Sequence, residues 1–294
     1  MAFYSIKDLE KISGIKAHTI RIWERRYNLI EPQRTTTNIR FYNDDDLKRI
    51  LNVSILNQNG YKISKIAMMS EVQLRERVID LCLDTRNTDV QIESLLVAML
   101  EMDENKFTNV LTNSIIKLGF ESTVETILFP FLDRIGILWQ AGTINPAQEH
   151  FISNLIRQKL IVAIDNEMQN FVPKANKNIV FFLPENELHE IGLLFYSLIA
   201  RKEGYNVVYL GASVPVEDLK VVVDVRGADA LFTSFVSARK KEELEQLLID
   251  IVETIPNIPL YMMGLQVREI QPAIPSSCQI ISSSKEFKEK ISQL

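Results

Sequence analysis

Cysteine is nearly absent: Cys82 and Cys278, far apart in the chain, are the only two. They supply neither the clustered ligands of a zinc site nor the pairs of a disulfide framework, and this points to a reducing compartment. Histidine is equally sparse, with His18, His150 and His189 alone. Long apolar runs are missing too, since no stretch approaches the ~20 residues of a membrane span. The opening "MAFYSIKDLE" lacks the basic, apolar and small-residue zones of a signal peptide. There is no internal repeat and no low-complexity tract. These absences predict a soluble cytoplasmic protein with no membrane partner.

What is present is a chain of 294 residues, 46% hydrophobic and 24% charged, which is long enough for two or three domains with ordinary cores. Its net charge of −5 is unevenly spread. Residues 1–75 hold thirteen Lys and Arg against eight Asp and Glu, while the remainder holds twenty against thirty. A basic head on an acidic body suggests that only the head meets a polyanion.

Three segments follow from the patterning, and together they predict a multidomain α and α/β chain. In residues 1–75, "SIKDLEKI" offers Ser5 as an N-cap with Asp8 in the capping-box region, and Ile6, Leu9 and Ile12 share a helical face. Gly14 breaks that helix and "KAHTIRIWERRYNL" restarts it with Ile20, Trp23 and Tyr27 inward, which is a helix-turn-helix pattern. The stretch "EPQRTTTNIRFYNDDD" reads as a short hairpin wing, with Asn43 capping the next helix, and residues 62–69 as a fourth helix. Residues 76–172 are apolar at helical spacing with almost no strand signal, so four antiparallel helices are expected. Residues 177–294 alternate strand and helix, with strands at "NIVFFL", "NVVYL", "ALFTSFV", "LYMM" and "QIIS". That alternation predicts a doubly wound, flavodoxin-like parallel sheet.

Several marked residues fall at the carboxyl ends of those strands, where open α/β sheets bind ligands. "LPENELHEIG" leaves the first strand with Glu187, His189 and Gly192 at E-x-H-x-x-G spacing. Thr233 and Ser234 end the third strand, and Gly264 follows the fourth. An imidazole oriented by a carboxylate is a good metal ligand, and a glycine lets a bulky ligand approach a helix start. A lone histidine after a strand is also commonly a solvated loop residue, and both readings stand at this level. In the helical segment, "WQAGTINPAQEH" ends one helix after Trp139 and starts the next at Asn145-Pro146. Trp139, Glu149 and His150 therefore sit at one end of the bundle, either as a pocket roof or as a core Trp with an ordinary surface pair.

Taken together, these motifs resemble known families. The E-x-H-x-x-G loop, the S-x-V strand end (Ser234, Val236) and Gly264 resemble the cobalamin-binding domain family, whose pattern runs D-x-H-x-x-G, S-x-L and G-G. The resemblance implies that His189 displaces the cofactor's own base as the lower axial ligand of cobalt. It also implies that the Ser and glycine positions line a channel for the displaced nucleotide tail. The W-x9-E-H spacing resembles the signature by which light-responsive, cobalamin-dependent regulators cover an adenosyl group. The head, with "WERRY" and an N-x-R-x-Y wing, resembles the winged helix-turn-helix of the MerR family, in the subgroup of the CarA and CarH regulators. Domain order and lengths agree, so the resemblance covers essentially the whole chain.

The resemblance implies a non-enzymatic transcriptional regulator, a repressor, whose assembly and operator binding respond to adenosylcobalamin. Helix 16–27 would enter the major groove of an operator duplex through Lys16, Thr19, Arg21 and Arg25, and Arg34, Arg40 and Tyr42 on the wing would meet phosphates. One head offers few contacts, so a homo-oligomer, dimer or tetramer, is expected. The cofactor would meet Trp139, Glu149, His150, Glu187, His189, Gly192, Ser234, Val236 and Gly264. Two positions depart from the pattern. Gln140 stands where the light sensors carry a second cobalt-binding His, which closes the usual bis-histidine route. Met263 replaces the first glycine of G-G and narrows the tail channel. These departures motivate an alternative, a cobalamin-independent regulator using the same fold for contacts with an antirepressor-type protein. A corrinoid carrier is a further alternative, disfavoured by the basic head.

Overall fold

A computed structural model gives the fold and describes residues 4–34, 38, 40–84, 88–140, 144–169, 172–173 and 176–294. The chain divides into two compact units, residues 1–153 and 154–294.

The first unit is helical apart from a small wing. Helix α1 (Ile6–Ser13) begins with the expected capping box: the Ser5 hydroxyl accepts from the Asp8 N–H, and the Asp8 carboxylate accepts from the Ser5 N–H. Gly14, at φ 71°, closes it. Helix α2 (Ala17–Tyr27) has no cap from its own flank. Instead Glu10 of α1 accepts from the Ala17 N–H at 3.1 Å and from Lys16 Nζ at 3.0 Å, which sets the angle of the turn. Strands β1 (Gln33–Arg34) and β2 (Arg40–Phe41) pair antiparallel as the wing. Asn43 then caps α3 (Asp44–Gln58) as expected, and α4 (Ile63–Ile66) is a single turn.

Beyond it lie α5 (Glu71–Asp84), α6 (Thr88–Glu101), α7 (Glu104–Leu118), α8 (Phe120–Thr123), α9 (Phe129–Gln140) and α10 (Pro146–Gln169). A π-helical turn, Val124–Leu128, joins α8 to α9 just ahead of Pro130. Proline has no N–H to return and crowds the carbonyl four residues back, and a widened turn accommodates both. Helix α5 was not anticipated, and the boundary placed at residue 75 falls inside it. Residues 50–56 of α3 and 90–100 of α6 are buried without interruption, as in helices packed on all sides. Helix α3 packs on α1 and also on α5 and α6, so the head and the helical segment share a core. Among the described residues no helix is long and apolar enough to cross a membrane.

The second unit takes the later part of α10 and then alternates. Strands β3 (Asn178–Pro184), β4 (Asn206–Val214), β5 (Ala230–Ser234), β6 (Leu260–Met263) and β7 (Cys278–Ile280) are parallel, in the order β4-β3-β5-β6-β7. Helices α11 (Ile191–Lys202), α12 (Val216–Arg226), α13 (Lys241–Thr254) and α14 (Leu265–Ile270) follow the first four strands, and α15 (Ser284–Ile291) ends the chain. The period of two along β3 serves both sheet faces. Phe181 joins Tyr196 of α11, Phe232 and Phe287 of α15 in one aromatic cluster. Val180 and Phe182 pack with Leu219, Leu244 and Leu248 of α12 and α13. The weak fourth crossover is the short α14. Helix α15 was missed, although its Phe287 is fully buried. Cys278 is a buried free thiol, pushed up to about 11 by burial and hence unreactive. The Cys82 side chain lies outside the described residues.

Candidate functional site

Helix α2 presents a basic face opposite its buried Ile20 and Trp23. Arg21 and Arg25 are exposed on that face, with His18 and Ile22 beside them. Ile22 is 44% exposed, an apolar group that no core requires, and neither it nor His18 was singled out from the sequence. Lys16 is exposed but ion-paired with Glu10 at 3.0 Å. Thr19 is half-buried, its hydroxyl 3.3 Å from His18 Nε2. On the wing, Arg34 is exposed and donates to Asn38 Oδ1 at 2.7 Å.

One wing residue, Tyr42, departs from the sequence reading. Tyr42 is fully buried rather than on the phosphate side. Its hydroxyl donates to Glu24 of α2, and its backbone pairs with Tyr4. Burial and the Glu24 carboxylate push its phenol well above the usual range. Arg40 is half-buried, its Nε 3.8 Å from the same Glu24. The alternating "IRFY" predicts a short hairpin wing, and pairing with the chain's own Tyr4 turns Tyr42 inward. Glu24, Tyr42 and Arg40 therefore lock the wing to α2.

The second constellation lies in the other unit, where the sheet order reverses between β3 and β5 and ligands bind at the carboxyl edge. The loop leaving β3 carries Glu187, fully buried yet charged. Its carboxylate accepts from the backbone N–H groups of Leu188 and His189 at 3.1 Å each, Val236 at 2.8 Å and Ser237 at 2.7 Å. The Ser237 hydroxyl adds a fifth donor at 2.9 Å, and His189 Nδ1 lies 2.6 Å away. Burial raises the pKa of this acid. The His189 side chain and the N–H groups of Ser237, Val236 and His189 more than offset that, holding it at about 2. Against an ionised carboxylate, Nδ1 must carry the proton, so a neutral ring has its lone pair on Nε2. The imidazole is 57% exposed. Val236 thus contributes its backbone rather than its side chain, and Ser237, which donates through both its N–H and its hydroxyl, was missed because its partner lies fifty residues away.

The loop is tied down elsewhere as well. Glu190 accepts from the Tyr209 hydroxyl of β4 at 3.0 Å and pairs with Arg157 of α10 at 2.8 Å. Asn186 N–H donates to Ser213 at 3.3 Å. Beside the loop, Ser234 and Thr233 are buried, and neither hydroxyl has a hydrogen-bond partner among the described residues. A Cβ on Gly192 would lie 3.1 Å from Met263 Sδ and 3.8 Å from Ser234 Oγ. Gly264, at φ 117°, could carry no Cβ at all, since one would fall 2.1 Å from the Phe235 carbonyl. Glu187, His189, Gly192, Ser234, Val236 and Gly264 are thus gathered at one edge.

Trp139, Glu149 and His150 belong to the first unit. Trp139 is half-exposed in the last turn of α9, and His150 Nδ1 pairs with Glu149 at 2.8 Å in the first turn of α10. Asn145 caps α10 through the Gln148 N–H, as expected. The "AGT" between them and the Gln140 side chain lie outside the described residues. Among the described residues no three His, Cys, Asp or Glu side chains gather as a metal cage.

Comparison with known proteins matches two segments of the chain to families and most of its length to two repressors. Residues 4–72 match the family described as MerR HTH family regulatory protein, and residues 91–163 the one described as B12 binding domain. The HTH-type transcriptional repressor CarA of Myxococcus xanthus is 30% identical over 287 residues, spanning 96% of this chain and 94% of CarA. The HTH-type transcriptional repressor CarH of the same organism is 29% identical over 275 residues, 91% of each chain. A monomethylamine corrinoid protein from Methanosarcina barkeri matches 74% of this chain and 98% of its own, with a TM-score of 0.50. At 14% identity, that likeness speaks for the fold alone.

Proposed function

This chain belongs to the family of the HTH-type transcriptional repressors CarA and CarH, and from that premise we propose a DNA-binding regulator that responds to cobalamin. It acts as a cytoplasmic repressor without enzymatic turnover, as a homo-oligomer on a symmetric operator. The observation that carries the cofactor half is the Glu187–His189 pair at the sheet's switch point, with the Ser234 hydroxyl buried beside it and without a hydrogen-bond partner among the described residues.

Those residues fit the lower side of a corrin. Glu187 holds His189 in the tautomer whose Nε2 lone pair would ligate cobalt, and the Ser234 hydroxyl would meet a polar atom of a ligand. When bound, adenosylcobalamin would supply a cobalt that the His189 imidazole would hold, and an adenosyl group. Trp139, Glu149 and His150 are assigned to the adenosyl group by the resemblance in their spacing. Cofactor binding biases one oligomeric state over another by its differential affinity for the two. An antirepressor-type protein remains a proposed partner.

The test is to incubate the full chain with adenosylcobalamin in the dark, desalt it, and record the visible spectrum and the size of the assembly before and after illumination. Retained corrinoid with a changed assembly supports the reading, and a colourless protein removes the cofactor from it. His189→Ala is expected to shift the spectrum and lower affinity by at least about 100-fold, beyond what losing an outer partner costs. An unshifted spectrum would deny His189 the cobalt.

For the DNA half, duplexes selected from a randomised library provide the probe. Arg21→Ala or Arg25→Ala is expected to weaken binding to the selected duplex about tenfold. Lys16→Ala should do less, because Glu10 already pairs that ammonium. Titrations of labelled duplex at two salt concentrations measure both the affinity and the number of phosphates met. Equal effects of all three substitutions would place the groove-facing surface elsewhere.

A further inference from the structure

Resting on the reading of His189 as a cobalt ligand, we propose that Met263 sets which corrinoid the site accepts, by filling the crevice that a nucleotide tail must enter. An imidazole that takes an axial position of cobalt releases whatever base held it. In a cobalamin that base belongs to a nucleotide tethered to the ring's edge, so the released group has to be housed on the side of the imidazole.

Near His189, a buried hydroxyl without a hydrogen-bond partner among the described residues marks a place for a ligand. It lies between the start of α11 at Gly192 and the ends of β5 and β6. The backbone of Gly192 is bare there, and the Ser234 hydroxyl is buried without a partner among the described residues. Ser234 and Met263 are register neighbours on β5 and β6. The thioether of Met263 occupies this place: a Cβ on Gly192 would sit 3.1 Å from its Sδ and 3.2 Å from its Cε. The Met263 backbone cannot retreat, because the next residue, Gly264, is already so close to Phe235 that a Cβ would meet its carbonyl at 2.1 Å. Admission of a tail therefore falls to rotation of one unbranched side chain. A corrinoid without a nucleotide needs no such rotation.

The test uses the full chain and two probes, adenosylcobalamin and adenosylcobinamide, the latter lacking the nucleotide. Both are titrated in the dark and followed by visible absorption. The wild type is expected to bind adenosylcobinamide the more tightly. Met263→Gly is expected to tighten adenosylcobalamin about tenfold while leaving adenosylcobinamide within about twofold. Met263→Ala, which does not place two glycines in sequence, should move adenosylcobalamin the same way and guards against a variant that folds poorly. If the wild type binds both probes equally and neither variant changes the ratio, Met263 is not the selector, and the cobalt reading of His189 stands untouched. If neither probe is retained by any of the three proteins, both readings fall together.

Discussion

Glu187→Ala is expected to lower the unfolding free energy of the second unit by about 3–5 kcal/mol, a loss of the size seen when one partner of a buried ionic cluster is removed. The carboxylate is the common acceptor for four backbone N–H groups, the Ser237 hydroxyl and the His189 ring. Each buried donor left unpaired costs about 1–3 kcal/mol, and entry of water and relaxation of the loop recover part of the total. Glu187→Gln should cost nearly as much, because its amide NH2 would point at donors. Urea unfolding, followed by a probe specific to the second unit, measures the difference. A loss below about 1 kcal/mol would mean that the loop is held by Glu190 and its partners instead.

The second large effect has the opposite sign. Glu93, in the middle of α6, is 2% exposed, and its Oε2 has no hydrogen-bond partner among the described residues. Burial pushes its acid up to about 8, with Arg134 pulling it down and Asp89 pushing it further up. In the unfolded chain the same group titrates near 4.5. Folding therefore retains a proton that the unfolded chain has lost, and stability falls as pH rises from 4.5 towards 8. The drop amounts to about 4–5 kcal/mol by pH 8, at about 1.4 kcal/mol per pH unit. Glu93→Gln removes this dependence. The variant should be more stable than the wild type by about 4 kcal/mol at pH 8 and within about 1 kcal/mol of it at pH 4.5. Urea unfolding of both proteins at pH 5, 6.5 and 8 measures it. A difference that stays flat with pH would show that Arg134 keeps Glu93 ionised in the folded state.

What the sequence disclosed and what it hid follow from one physical distinction. Side chains that act within a few residues of themselves leave a pattern. The capping pair of Ser5 with Asp8, the Asn43 cap, and the spacing of Glu187 with His189 were therefore legible. So were the five strands, whose apolar runs were each bounded by turns. Groups whose partners arrive from distant chain, or from the backbone, leave none. Tyr42 had an exposed-looking place in a hairpin, and only Tyr4 and Glu24 turn it inward. Val236 and Ser237 meet Glu187 across about fifty residues through N–H groups that every residue but proline owns. Helices α5 and α15 were overlooked because the α5 sequence mixes charge among its apolar positions and α15 has few apolar residues, Phe287 chief among them. Glu93 sits between Gln91 and Ser94 ahead of an apolar run, where an acid reads as the polar edge of a helix rather than its centre.

The uninterrupted burial of α3 has a consequence for reading DNA. A head hung on a pliable tether could adjust to operators of different layout. This head shares its third helix with the core of α5 and α6, so its orientation is inherited from whatever α6 is fixed to. In the proposed oligomer, the distance between two recognition helices would be a rigid length. The protein would act as a ruler, measuring how far apart two half-sites lie and at what angle around the duplex, as strictly as it reads their bases.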